Sequence, residues 1–196
     1  MKSGKRGLSV ALVLLGVILI LCAAIMLLYT KLSPNISVEN ATETLRKAEA
    51  QLPTIIDQIP EERRNNTMSS MEINRVNIVG LIEIPKYSFK LPVYSTWDKA
   101  MVSSVPCRYT GSIYDRSLII GAADREGQMD FVKQLYLDDR IFITDMEGGR
   151  YSYRISKIDH TDNVKTEELQ SNSCDLTIFV KSSLSMEYIV IRCVIV

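Results

Sequence analysis

Tyr151-Ser-Tyr-Arg-Ile-Ser-Lys-Ile158 alternates apolar and polar side chains, the pattern of a strand with one face in a core and the other in water. Similar runs lie on both sides of it. Residues 78–84, 89–94, 117–121 and 140–144 precede it, and 176–180 and 188–194 follow, all rich in β-branched and aromatic side chains. Turn signals separate them: Pro85-Lys86, Glu147-Gly148-Gly149 and the polar stretch 170–174. Two short helices fit between strands, near residues 97–103 and 128–135. Many short strands with few helices predict an all-β domain, a closed or nearly closed barrel of about seven or eight strands. It should run from Asn74 to Val196, and about 120 residues suffice to enclose a core.

The chain changes character toward its beginning. Residues 8–28 read LSVALVLLGVILILCAAIMLL, and at ~1.5 Å per residue such a helix spans roughly 30 Å, the thickness of a bilayer's hydrocarbon. Lys2, Lys5 and Arg6 precede it with no acid, which predicts a cytoplasmic N-terminus and an external remainder. A cleaved leader would have a shorter apolar core and small residues before the cut. Here Leu27, Leu28 and Tyr29 end the run, and Leu21 before Cys22 does not suit a lipoprotein. The expected layout is a basic tail over residues 1–7, a single-pass anchor over 8–29, a stalk over 30–73 and the barrel over 74–196. Residues 37–52 in the stalk look helical and thin in apolar content, hence solvated. The run 61–70, EERRNNTMSS, buries little and reads as linker.

Composition narrows the function. Acids and bases balance at 23 each, but removing the three N-terminal cations leaves 20 bases against 23 acids for the rest. A mildly acidic remainder without basic clusters argues against nucleic-acid binding. His160 is the one histidine, which excludes multi-histidine zinc sites and any Ser–His or Cys–His chemistry not using it. Cys22 falls inside the apolar run, as a small packing residue. Cys107, Cys174 and Cys193 allow at most one internal disulfide, and no CxxC pair suggests a zinc ribbon. No metal and no cofactor is expected.

The order of these pieces resembles the sortases, membrane-anchored cysteine transpeptidases of mainly Gram-positive bacteria. The resemblance covers roughly Asn77 to Val196. Gly80-Leu-Ile-Glu-Ile-Pro85 and Leu91-Pro-Val-Tyr94 are similar to the family's first strands. Cys107-Arg-Tyr-Thr-Gly-Ser112 and Ser117-Leu-Ile-Ile-Gly121 resemble the segment before the family's histidine strand and that strand itself. The run from Asp139 to Gly148, then Tyr151-Ser-Tyr-Arg-Ile155, Asp175-Leu-Thr-Ile-Phe179 and Ile189-Val-Ile-Arg-Cys193 resemble the later strands.

In that family a cysteine thiolate attacks a sorting-signal peptide, a histidine moves protons and an arginine stabilises the oxyanion. The histidine follows the glycine ending its strand, and here Ala122 follows Gly121. The cysteine follows a threonine at the end of the D-L-T strand, where Val180 and Lys181 stand. The arginine opens the last strand, where Tyr188 stands, with Glu187 one residue earlier. The resemblance therefore implies a degenerate member without catalytic residues, whose groove would be lined by Ala122, Asp124, Lys181, Glu187, Tyr188 and Arg192.

Substitutes for the missing groups are weak. Cys174 lies at the opposite end of the strand from Lys181, roughly 20 Å away at ~3.3 Å per residue. Cys193 sits within the last strand, and His160 in the polar loop His160-Thr-Asp-Asn163. Lys181 is a conceivable nucleophile, but its neighbour Ser182 should face the other way. Three roles follow from this: a module binding a sorting-signal-like peptide, a surface protein or an active sortase; an enzyme of altered mechanism using Lys181; or a purely structural surface domain. Loss of three groups favours the first over the second.

Overall fold

Branched and aromatic residues at alternating positions build nine strands among the described residues of the computed structural model, which are 3–56, 67–170, 173–185 and 187–196; for 3–12 and 28–39 only the backbone is described. The strands are β1 (Met71–Ile73), β2 (Val76–Ile84), β3 (Phe89–Tyr94), β4 (Cys107–Thr110), β5 (Leu118–Ala123), β6 (Arg140–Asp145), β7 (Arg150–Thr161), β8 (Leu176–Lys181) and β9 (Tyr188–Ile195). Helix α1 covers Ser3–Gln51 and α2 Thr166–Leu169. The two helices expected between strands are reduced to short 3-10 turns, Met101–Ser103 and Val132–Gln134.

The strand order is β1-β2-β3-β4-β5-β8-β9-β7-β6, and β2 also pairs with β6. That second pairing closes β2 through β9 into an eight-stranded barrel, as the strand pattern predicts. Closure brings backbones close at Gly80, where an added Cβ would stand 2.7 Å from the Thr144 carbonyl oxygen, so only glycine fits. Alternation then sorts the side chains. Leu176, Ile178 and Val180 of β8 join Ile120, Ala122, Ile189 and Ile191 in the main core, while Phe179 belongs to an outer cluster with Ile119, Leu169 and Val190.

Chain contacts divide the protein into residues 1–37 and 38–196. The second unit therefore begins well before Asn74, and this corrects the expectation of a solvated stalk helix. Ala41, Thr44 and Ala48 recur on one face of α1 and are each at most 2% exposed. Ala48 packs with Ile73, Ile78, Leu81 and Met146, while Ala41 joins the main core cluster. Glu49 and Thr44 tie the helix down, through a 2.6 Å ion pair with Lys90 and a 3.3 Å hydrogen bond from the Asn74 amide. Alanine and threonine add little apolar signal to the sequence, yet their small size lets the helix backbone approach the sheet. Beyond the helix, Ile56 docks on the β6–β7 turn by donating to Gly148 and accepting from Arg150. Residues 57–66, most of the expected linker, lie outside the described residues.

In the first unit, residues 3–37 are helical and belong to α1. Among the described residues no helix is long and apolar enough to cross a membrane. The ends of the apolar run, 8–12 and 28, lie outside the described side chains. The described part, 13–27, has exposed Val13, Leu14, Leu19, Ile20, Ile25 and Met26.

Candidate functional site

Strands β5, β8 and β9 lie side by side, and their ends form one row. Ala123 is the Cα partner of Lys181 across the parallel β5–β8 pair, and Lys181 is the partner of Tyr188 across β8–β9. Partners in register present side chains to the same face, so the row displays Ala123, Lys181 and Tyr188 outward. Ala122 is partnered one position back with Val180 and packs in the core, 2% exposed. The structure thus brings Lys181 and Tyr188 together, and Ala122, whose methyl packs in the core, lines the same cavity.

A cavity of about 700 Å³ opens over this row. Its wall is aromatic. Trp97, Tyr109 and Phe179 meet with ring centroids 5.3–5.4 Å apart, and Phe179 lies 6.4 Å from Tyr188. Gly121 makes this possible, since a Cβ there would stand 2.1 Å from the Trp97 ring and 2.7 Å from that of Phe179. The Trp97 segment is fixed at two points. Asp98 accepts from the backbone amides of Ala100 and Met101 at 2.8 and 2.9 Å. The buried Gln128 accepts from the Ala123 amide at 2.6 Å and donates to the Val102 carbonyl at 3.2 Å. Tyr109 is held by a 2.9 Å bond between its hydroxyl and that of Thr166. Trp97, Tyr109 and Phe179 were not among the residues singled out from sequence. A glycine inside an apolar strand signals close approach of another group, and that was the available clue.

The other expected groove residues separate. Asp124 lines the cavity, 7% exposed, its carboxylate 3.3 Å from Lys133 and 3.5 Å from the Ser182 hydroxyl. Glu187 is not in the cavity wall; its carboxylate accepts from the Ser185 hydroxyl at 3.3 Å. Arg192 is structural. Its guanidinium donates to the Glu168 carbonyl at 2.6 Å and pairs with Asp159 at 3.5 Å, beside a separate depression of about 340 Å³. Lys181 forms no ion pair with Asp124 or Glu187, and it is exposed. Ser182 lines the cavity as well but is only 5% exposed, its hydroxyl accepting from the amides of Leu184 and Ser185. β8 ends at Lys181, so strand alternation does not separate the two, and both Lys181 and Ser182 line the cavity.

Thiols and imidazole lie elsewhere. Cys107, Cys174 and Cys193 are buried and unbridged, and none lines the cavity. Burial pushes the Cys107 thiol up to about 11 and raises that of Cys193 further still. His160 is exposed within β7, opposite Ile189, rather than in a loop after the strand, and it is outside the cavity wall. Among the described residues no cluster of His, Cys, Asp or Glu is arranged to hold a metal.

The overall fold is matched by solved structures. A sortase D5 transpeptidase from Clostridium perfringens superposes with a TM-score of 0.59 at 16% identity, over 80% of this chain and 98% of that one. The chain has the sortase fold. Sortase C1 from Streptococcus agalactiae gives a TM-score of 0.56 at 16% identity, over 81% and 89% of the two chains. Sortase A from Corynebacterium diphtheriae gives 0.55 at 15%, over 83% and 84%. No family model and no curated protein matches the sequence. At such identity the sortase likeness speaks for the fold, and activity has to be argued from the site.

Proposed function

We propose that this sortase-fold chain is a pseudo-enzyme, a binding or assembly module for a peptide or cell-surface protein. In this reading residues 8–29 anchor it in the cell membrane and residues 31–196 face outward. The observation that carries it is the row Ala123–Lys181–Tyr188 beneath an open aromatic cavity. No thiol, imidazole or guanidinium stands in that row. The buried, high-pKa thiols of Cys107 and Cys193 are poor nucleophiles, so covalent acyl transfer has no evident agent. Lys181 is a weak replacement, because Asp124, at the end of the neighbouring strand, is already paired with Lys133.

Binding does not need the nucleophile. A concave wall of aromatic rings with a few polar groups suits a ligand whether or not chemistry follows. The anchor rests on the sequence: a long apolar run preceded by Lys2, Lys5 and Arg6.

NMR shift mapping of the labelled protein with wall-derived and sorting-type peptides tests the binding role. Peptides should move the resonances of the Trp97 indole, Lys181 and Tyr188, with dissociation constants on the order of tens of micromolar or weaker. If none moves at millimolar peptide, the domain is structural and the binding role falls.

A further inference from the structure

The cavity wall is lopsided in charge. Its charged side chains are Lys99, Arg125, Lys181 and Asp124. The single carboxylate is already matched by Lys133 at 3.3 Å. The three cations are exposed, and none of them forms an ion pair among the described residues. The chain without its N-terminal tail is mildly acidic, so this cluster runs against the background. Three unmatched cations around an apolar wall raise the local concentration of anions and orient them.

The wall also demands an apolar group. Trp97, Tyr109 and Phe179 form a continuous shelf next to Lys181. An inorganic anion would leave that shelf in water. Strand edges are unavailable for adding a ligand strand, because β5, β8 and β9 are each paired on both sides. Recognition therefore falls to side chains rather than to main-chain pairing.

We propose that the cavity selects an acidic amphipathic peptide segment, in which an apolar side chain lies on the Trp97–Phe179 shelf and an adjacent carboxylate meets Lys181. Lys99 and Arg125 at the rim receive further carboxylates of the same segment. This inference rests on the peptide-binding reading above and adds the ligand's charge to it. A neutral sorting-type peptide is then the poorer ligand, since it leaves the cations unmatched.

Trp97 is the one tryptophan in the sequence, so its emission reports the shelf directly. The full chain in detergent micelles is titrated with blocked peptides of alternating Leu and Glu, of alternating Leu and Gln, and of Glu alone, and with polyphosphate. The Leu–Glu peptide should bind at least about tenfold more tightly than each of the others and weaken as salt rises from about 0.05 to about 0.5 M. Lys181→Gln should lose about fivefold or more for Leu–Glu and leave Leu–Gln unchanged, whereas Lys157→Gln, remote from the cavity, should change neither. Both lysines are exposed, and circular dichroism verifies that each variant is folded. Equal affinity for Leu–Glu and Leu–Gln overturns the charge inference and leaves peptide binding standing. Polyphosphate or poly-Glu binding as tightly as Leu–Glu overturns it in favour of a plain anion site. Silence of Trp97 toward every peptide at millimolar concentration overturns the peptide-binding reading and this inference with it.

Discussion

Lys181 and Tyr188 are Cα partners across the β8–β9 pair, while Ala122, one step from their row, points into the core. Register and alternation thus put two of the three family-equivalent positions on the outer surface and one inside. The three positions should respond differently to mutation. Lys181→Ala should change stability by less than about 0.5 kcal/mol, as an exposed position does. Ala122→His inserts a polar ring among Val180 and Ile189 and should cost about 2 kcal/mol or more. Urea unfolding of the two variants measures both, and a neutral Ala122→His would contradict the inward placement.

Gly121 carries the shelf. Gly121→Ala places a methyl where the Trp97 and Phe179 rings now stand, so one ring must leave. A loss of about 1–3 kcal/mol is expected from overpacking, with a red-shifted Trp97 emission as the indole moves toward water. Unchanged emission in a folded variant would mean that the rings adjust without opening the shelf.

The C-terminal part of α1 belongs to the barrel unit, so truncation is sensitive to where the cut falls. A fragment of residues 38–196 keeps Ala48 against Ile78 and Leu81 and Ala41 in the main core. A fragment of residues 74–196 loses them together with β1. It should be less stable by about 3 kcal/mol or more, the scale of re-exposing two large apolar side chains, and its thermal midpoint should fall accordingly. Equal midpoints for the two fragments would restore the stalk reading of this segment.

Much of this fold was legible because alternation is a strong signal in long strands. β2, β3, β5, β6, β7, β8 and β9 all overlap the expected runs of β-branched and aromatic residues at 78–84, 89–94, 117–121, 140–144, 151–158, 176–180 and 188–194. β1 and β4 were missed as strands because three or four residues carry too little period to read. The buried helix face was missed because Ala41, Thr44 and Ala48 look polar or neutral while packing tightly. At the site, Lys181 and Tyr188 were legible from the strand ends. Glu187 and Arg192 were over-assigned, since Ser185 engages the first and Asp159 with the Glu168 carbonyl the second. Trp97 and Tyr109 reach the cavity from a connecting segment and from β4, and no local pattern announces such convergence.

Thiol chemistry gives a pH signature. Burial lifts Cys107 from an ordinary value of 9.0 to about 11 in the folded state, and Cys193 is raised as well. A raised folded-state pKa means that the native protein holds protons the unfolded chain releases. This contribution is complete below the unfolded pKa and is lost as pH climbs from about 9 through about 11, with at most about 1.4 kcal/mol per pH unit for each thiol. Cys107→Ala should flatten that decline in urea melts between pH 8 and 11. At pH 8 the native thiols of Cys107 and Cys193 should resist a maleimide that labels them promptly in urea. Rapid native labelling of either one would contradict its burial.

The pseudo-enzyme reading is tested most directly by intact-mass measurement of the full chain after incubation with a sorting-type peptide and an amine acceptor. The protein mass should stay unmodified and no ligated peptide–amine product should form, because no activated thiol faces the cavity. An acyl adduct on any cysteine, or on Lys181, together with released peptide product, would contradict it.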